Sequence, residues 1–174
     1  MKLIKTNFQN LYLIKKEPFK DKRGYFSRDF CKKDLKKIKF EIKQINFSFN
    51  KIKHTLRGFH YNRKPYEEGK IISCISGKIF NVCIDLRKKS KTYLKVFSTT
   101  LSDQNMFSVI VPKGFANAYL TLEDNTKVLY YMDRFYKRNK GLGIKYNDKF
   151  FSIKWPHKPK KISNKDLSFK NFKN

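Results

Sequence analysis

The stretch GKIISCISGKIFNVCIDL, residues 69–86, decides the fold class. It holds two short apolar runs, 69–76 and 78–86, which are typical of strands. In residues 79–86 the even-numbered side chains share one face and the odd-numbered ones share the other. The pattern predicts strands at 69–76 and 78–86, joined by a hairpin turn at Ser76-Gly77.

A period of two recurs along the chain and predicts strands at 45–49, 106–111 and 126–131, with a turn around Gly24 in residues 19–26. Helices are expected only at 31–38 and, as a short one, near the C-terminal end. Many short strands with regularly spaced turns predict an all-β fold, a jelly-roll sandwich or barrel with a few short peripheral helices.

The length of 174 residues, 40% of them hydrophobic, predicts one domain over residues 1–174. No window approaches the roughly 20 apolar residues of a membrane span. The first residues, MKLIKTNFQN, lack the apolar run of a signal peptide. We therefore expect a cytoplasmic protein without a membrane partner.

The net charge of +27 suggests a polyanion-binding protein, but its composition argues for another origin. Of the 41 basic residues, 34 are Lys and 7 are Arg, and the lysines are spread over nearly every segment. Proteins that recognise nucleic acid rely more on arginine, whose planar guanidinium binds phosphates and guanine edges. A solvated lysine surface is therefore favoured over a nucleic-acid partner.

Cysteine and histidine spacing speaks against disulfides and metal. The chain has an odd number of cysteines, Cys31, Cys74 and Cys83, and no CxxC spacing. Two of them, Cys74 and Cys83, lie in apolar runs that predict core positions. No two histidines have the His-x-His spacing that places two ring nitrogens on one strand face. Neither a metal nor another cofactor is expected.

Arg57 and His60 stand close together in the strand-like segment LRGFHY. A scarce arginine beside a histidine suits an anionic substrate, although a lone strand histidine is more often an ordinary hydrogen-bonded residue. Residues three apart on a regular strand face opposite sides. Both can face one cavity only if Gly58 permits a bulge or twist.

Three further residues have an ordinary interpretation from the pattern alone. Lys70 is one of many lysines, Tyr130 shares a strand face with Val128 and Met132 and suits a barrel core, and Asp166 suits a helix cap or a solvated turn. A tyrosine in a barrel can also serve as an acid or base when its hydroxyl meets a substrate.

A set of short motifs in a fixed order carries a family resemblance. They are DKRGYF at 21–26, QINFS at 44–48, LRGFHY at 56–61, VCIDLRKKS at 82–90, VPKGFA at 111–116, WP at 155–156 and ISNKD at 162–166. Each motif is weak, but the ordered set is specific. The chain resembles the dTDP-4-dehydrorhamnose 3,5-epimerase family of nucleotide-sugar epimerases.

The resemblance implies a cupin-like jelly roll that forms a homodimer, with the N-terminal segment reaching into the partner's site. It implies catalysis without a metal. The substrate would be a nucleoside diphosphate linked to a 4-keto-6-deoxy sugar of surface polysaccharide synthesis. The reaction would invert the carbons that flank the ketone, which requires a base, an acid on the opposite face and stabilisation of an enolate.

By the same resemblance, His60 is the base, Asp166 orients it, Lys70 lies near the enolate oxygen and Tyr130 is the acid. The family's substrate-binding positions correspond here to Arg23 and Arg57 for the pyrophosphate, Gln44 and Asn46 for polar contacts, Tyr136 and Phe26 near the base, and Lys165.

Departures from the family pattern concern recognition. Asn117 replaces a site histidine, and Arg28 replaces a glutamate that contacts the nucleotide end from the partner chain. An acidic residue is missing from residues 137–141, and the loop between Asn46 and Arg57 is one residue longer. They leave open a single-carbon 5-epimerase of a CDP- or GDP-linked 4-keto dideoxyhexose or heptose. From another class, the charge leaves open a non-catalytic module that binds a sugar nucleotide or nucleic acid.

Overall fold

The computed structural model describes residues 1–138 and 140–173, which form strands and one short helix. These elements are β1 (Lys2–Lys5), β2 (Tyr12–Lys15), β3 (Phe19–Asp21), β4 (Gly24–Phe26), β5 (Gln44–Asn50), β6 (Thr55–Tyr61), β7 (Lys70–Ser76), β8 (Lys78–Asp85), β9 (Val96–Ser102), β10 (Phe107–Val111), β11 (Phe115–Thr121), β12 (Thr126–Met132), β13 (Leu142–Gly143), β14 (Lys161–Ile162) and α1 (Asn164–Leu167).

Two sheets carry the fold. The first, sheet I, has the order β1-β2-β10-β7-β12-β5, and the second, sheet II, has the order β13-β6-β11-β8-β9. Neighbours on these two paths are antiparallel. β14 adds to β6 in the parallel direction, and β3 and β4 form a separate hairpin. The structure confirms the predicted all-β sandwich of the cupin type.

The main core lies between the two sheets. Alternate residues of β7, β10 and β12 contribute Ile72, Cys74, Val109, Val111 and Val128, and β8, β9 and β11 contribute Ile79, Cys83, Leu101, Phe115 and Tyr119. The predicted alternation in 79–86 is confirmed, because Val82 and Ile84 belong to a different cluster on the outer face of sheet II. Both faces of sheet II are therefore apolar, and a C-terminal segment with Phe151 and Trp155 covers the outer one.

The hairpin expected at Ser76-Gly77 is wrong. β7 and β8 lie in different sheets, so the chain turns a corner there and crosses from sheet I to sheet II. Gly77 has φ +79°, and a Cβ there would lie 2.7 Å from Thr126 Oγ1. The Asp103 carboxylate accepts a hydrogen bond from the Gly77 N–H at 2.9 Å. A tight glycine turn was correctly predicted, but the partner of each strand was not.

The helix expected at 31–38 is also wrong. These residues form turns, in which the Leu35 N–H donates to the Cys31 carbonyl at 3.0 Å. Leu35 is buried against Ile14, Ile71 and Ile110 on the outer face of sheet I. The short C-terminal helix corresponds to α1. With four residues, α1 falls far short of a membrane span, and the described part of the chain holds no other helix.

Candidate active site

A cavity of about 460 Å³ opens between the two sheets. Its walls combine polar and charged side chains with apolar ones, whereas the neighbouring sandwich core is apolar. The predicted site residues that line it are Gln44, Asn46, Arg57, His60, Lys70, Asn117, Tyr130, Tyr136 and Lys165. Sheet I supplies Tyr130 and Lys70, whereas sheet II supplies His60, so a ligand in the cavity lies between groups from both sheets.

His60 is held by a carboxylate from the C-terminal segment. Asp166 Oδ1 lies 2.8 Å from His60 Nε2, and Asp166 Oδ2 accepts the Gly58 N–H at 3.0 Å. A carboxylate accepts hydrogen bonds, so Nε2 carries the proton and the Nδ1 lone pair is left for a substrate. The imidazole is 41% exposed, whereas Asp166 is buried.

The local sequence explains where Asp166 lies. β14 pairs with the first residues of β6 and brings the chain beside that strand. Ser163 then caps α1, its hydroxyl accepting the Asp166 N–H at 3.1 Å. Burial raises the pKa of Asp166, but the hydrogen bonds from His60 and Gly58 outweigh it, so the pKa lies below its ordinary value. The carboxylate is therefore ionised at neutral pH and can support an imidazolium.

A bulge in β6 brings Arg57 and His60 to the same cavity. His60 pairs with Asn117 and Arg57 with Tyr119, so three steps on β6 match two on β11. Gly58 lies between them with φ +114°, and a Cβ there would lie 2.6 Å from the Asn117 carbonyl oxygen. Glycine is needed both for the backbone angle and for this close approach. The bulge at Gly58 that Arg57 and His60 need in order to face one cavity is therefore present.

Tyr130 lies on the wall that faces His60 and is held in a polar cluster. Its ring centroid lies 6.2 Å from that of Tyr119, whose hydroxyl is 3.2 Å from Ser48 Oγ. Burial raises the pKa of Tyr130 well above its ordinary value, and Tyr119 adds to this, whereas Arg57 and Ser48 lower it. Tyr130 is thus protonated at neutral pH and has a proton to donate.

Lys70 and Arg57 are two cations of the predicted set that line the cavity, Lys70 largely buried and Arg57 exposed. Lys70 Nζ lies 2.9 Å from Glu68 Oε1, with both side chains largely buried at the cavity wall. Arg57 Nε donates to Asn50 Oδ1 at 2.8 Å, which leaves the terminal nitrogens of the guanidinium for an anion. Such an anchored fork suits a phosphate group.

Polar amides complete the walls. Gln44 Nε2 donates to Asn46 Oδ1 at 2.6 Å, and Gln44 Oε1 accepts the Tyr136 N–H at 2.9 Å. Asn117, which lines the cavity, donates from Nδ2 to Asn81 Oδ1 at 2.8 Å and to the Val82 carbonyl at 3.0 Å. A carbonyl only accepts, so this contact fixes the amide orientation.

Three predicted residues lie elsewhere in the chain. Arg23 and Phe26 belong to the exposed β3–β4 hairpin, where Arg23 pairs with Asp21 at 2.6 Å. Arg28 lies in a separate depression with Met1, Glu17, Phe19 and Asp34. None of the three lines the cavity between the sheets. A single chain therefore does not bring them to His60.

The cavity also contains residues that the sequence analysis did not single out. They are Phe47, Ser48, Phe49, Tyr61, Asn62, Glu68, Tyr119, Met132, Arg134, Lys137, Gly141 and Leu142. The alternation in β5 held a usable signal for Ser48, which shares a face with Gln44 and Asn46. No comparable signal marks Glu68, whose role depends on the fold bringing it to Lys70. Within the described residues, no cluster of three or more His, Cys, Asp or Glu side chains is arranged to hold a metal ion.

A sequence model of the family described as dTDP-4-dehydrorhamnose 3,5-epimerase matches residues 5–174. The chain belongs to this family. With it, the chain belongs to the isomerases. It is 34% identical over 175 residues to the dTDP-4-dehydrorhamnose 3,5-epimerase of Shigella flexneri, a match that covers 99% of this chain and 96% of the relative.

Solved structures of family members agree with the fold. The Bacillus anthracis dTDP-4-dehydrorhamnose 3,5-epimerase, crystallised with TDP and PPi, is 34% identical and superposes with a TM-score of 0.95, covering 98% of this chain and 99% of its own. The Legionella pneumophila dTDP-6-deoxy-D-glucose-3,5-epimerase, in complex with dTDP-4-keto-L-rhamnose, is 30% identical with a TM-score of 0.91, covering 98% and 92%.

Proposed function

We propose that this chain is a 3,5-epimerase of a nucleoside-diphosphate 4-keto-6-deoxy sugar. The observation that carries the proposal is the arrangement of His60 and Tyr130 on opposite sheets of one cavity, with His60 paired to Asp166 at 2.8 Å. A base on one side and an acid on the other are what inversion of a carbon beside a ketone requires. The family relationship makes a dTDP-linked sugar the first substrate to test.

In this mechanism His60 Nδ1 removes the proton from a carbon next to the ketone, and Asp166 stabilises the imidazolium that forms. The electron pair of the broken C–H bond moves to the carbonyl oxygen, where the Lys70 ammonium stabilises the enolate. Tyr130 then returns a proton to the carbon from the opposite face, which inverts it. Arg57 binds the diphosphate. The chemistry is carried by these side chains and needs no metal or other cofactor.

The family also suggests a homodimer, and the exposed surface supports one. On the β3–β4 hairpin Phe19 and Phe26 are 68% and 65% exposed. On β5, the edge strand of sheet I, Ile45, Phe47 and Phe49 are exposed as well. Pairing of two copies would cover these apolar side chains. We place Arg23, Phe26 and Arg28 of each copy at the partner's cavity, in a cytoplasmic enzyme of surface polysaccharide synthesis.

Solvent exchange tests the reaction. The purified protein is incubated in deuterated water with dTDP-, CDP- and GDP-linked 4-keto-6-deoxy sugars, and deuterium beside the ketone is measured by NMR and mass spectrometry. We expect incorporation with at least one substrate and none with His60→Ala. His157→Ala, a histidine outside the cavity that stacks on His54, serves as the control and should retain exchange. Absence of deuterium with all three substrates would overturn the proposal.

Inversion of a single carbon is the second candidate, and Asn117 favours it. The family's histidine at this place can carry a proton, whereas an amide cannot. A cavity with fewer proton carriers suits inversion at one carbon. The stereochemistry of the product, determined by NMR, distinguishes one inversion from two.

A further inference from the structure

The strand position beside His60 carries no side chain. His60 on β6 pairs directly with Gly143 on β13. Directly opposed residues on antiparallel strands project to the same side of a sheet and normally pack on each other. Because residue 143 is glycine, β13 offers nothing to the imidazole, whose side chain is 41% exposed.

Phe169 from the C-terminal segment occupies this place. A Cβ added at Gly143 would overlap the Phe169 ring, so the ring lies where a side chain of β13 would be. It contacts His60 edge-on, with ring centroids 5.7 Å apart and an interplanar angle of 83°. An aromatic ring that covers a glycine on a neighbouring strand is a known way to fill such a gap in a sheet.

The segment that presents Phe169 is anchored on both sides of it. On one side, Asp166 bonds to His60 and Gly58. On the other, the Lys170 carbonyl accepts the Lys145 N–H at 3.1 Å, and the Phe172 ring packs on Phe151 with centroids 5.4 Å apart. Phe169 is therefore held in place from outside the cavity, independently of any ligand.

We propose that Phe169 is a positioning residue for the base His60, which is an inference that rests on the function proposed above. The hydrogen bond to Asp166 fixes where Nε2 points but leaves the ring free to tilt about it. The edge-on contact with Phe169 removes this freedom and aims Nδ1 into the cavity. Phe169 touches no reacting atom and acts through His60 alone.

A double-mutant cycle between Phe169 and Gly143 tests this role. Phe169→Ala should slow deuterium incorporation by about 10- to 100-fold, the loss expected from misplacing a catalytic group by about 1 Å. The KM for the sugar nucleotide should not change. Gly143→Ala should produce a similar loss, because its Cβ displaces the ring. The double variant should be no slower than Phe169→Ala, because alanine at 169 leaves room for the new Cβ.

Leu167→Ala is the matched control, since Leu167 lies on the same segment but is 50% exposed. It should retain wild-type exchange. If Phe169→Ala does not fold, Phe169→Leu keeps the apolar bulk without the flat ring and should show the same selective loss in rate, while Phe169→Tyr should restore it. Exchange within twofold of wild type in a folded Phe169→Ala or Phe169→Leu protein would overturn the inference, as would additive losses in the cycle.

A readout without catalysis separates this inference from the proposed function. The ¹⁵N signals of the His60 ring, assigned with His60→Gln, should show a single tautomer with the proton on Nε2 in the wild type. In Phe169→Ala they should broaden or average. If the wild type exchanges no substrate, the function fails while this spectrum still tests Phe169. Identical His60 spectra in the two proteins would overturn the positioning role.

Discussion

Asp166 follows His60 by 106 positions in the chain, yet its Oδ1 lies 2.8 Å from the imidazole Nε2. Its other oxygen accepts the Gly58 N–H. One buried carboxylate therefore holds both the base and the backbone bulge that aims the base. Removal of its charge should affect catalysis more than binding of the substrate.

Asp166→Asn should lower the rate of deuterium incorporation by about 100-fold or more, because the amide can present an N–H to Nε2 and favour the wrong tautomer. The KM should change far less than kcat. Asp124→Asn, at an exposed carboxylate that accepts the Lys53 N–H, is the control. Equal losses in the two variants would contradict the role of Asp166.

The pKa of Asp166 lies below its ordinary value, so ionised Asp166 stabilises the folded protein. This stabilisation is present above the unfolded pKa of about 4 and is lost as the pH falls through the lower folded value. The free energy of unfolding of the wild type and of Asp166→Asn is measured in urea from pH 7 to pH 2. At neutral pH the wild type should have the larger value. The difference should shrink below about pH 4. A difference that grows toward acid pH would contradict the direction of the shift.

Gly58→Ala should strongly destabilise the protein, because its Cβ would meet the Asn117 carbonyl and Ala118, which are backbone and core atoms that cannot give way. We expect a loss of about 3 kcal/mol or more in urea unfolding, with loss of exchange. Gly24→Ala has a similar positive φ but open space around it, so the backbone strain alone should cost about 1 kcal/mol. Similar losses at the two glycines would show that close approach does not matter at Gly58.

Tyr130→Phe should separate exchange from inversion. His60 can still remove and return a proton on its own face, so deuterium incorporation should fall less than tenfold, while inversion should fall by about 100-fold or more. NMR of the sugar ring measures both in one experiment. Equal suppression of exchange and inversion would count against Tyr130 as the acid of the second face.

Mixing two inactive variants tests whether the hairpin completes the partner's cavity. A dimer of His60→Ala with Arg23→Ala contains one site with both wild-type residues if the hairpins are exchanged. With random pairing, co-expression should then restore the rate of inversion to at most about a quarter of the wild-type value. The control pair, His60→Ala with Tyr130→Phe, leaves a defect in each cavity and should restore no inversion. No recovery in the first pair would place Arg23 outside the partner's site.

The strands were predictable because β5 alternates apolar and polar residues, whereas β7 and β8 are short apolar runs. The pairing at Ser76-Gly77 was not, because a hairpin and a corner between sheets both need a tight glycine turn. The helix predicted at 31–38 rested on the spacing of Leu35 and Ile38, which suits a helix. The structure buries Leu35 from a turn instead. Short helices gain little from local propensity alone.

For the site, the predicted residues that line the cavity came from the family resemblance rather than from periodicity. No local pattern could bring Asp166 to His60, since they meet only through the docking of β14 and α1 on β6. Glu68 and Phe169 were missed for the same reason. The roles assigned to all these residues stay predictions until the variants are measured.

The Gly58 N–H that Asp166 accepts has a consequence for folding fidelity. If the C-terminal segment docked on β6 one residue out of register, the His60 and Gly58 donors would no longer meet the Asp166 carboxylate, and a buried charge would lose its partners. Misaligned chains would thus pay a penalty that the aligned chain avoids. The carboxylate that supports catalysis therefore also disfavours the wrong strand register. Loss of Asp166 should increase the population of misfolded chains as well as slow the reaction.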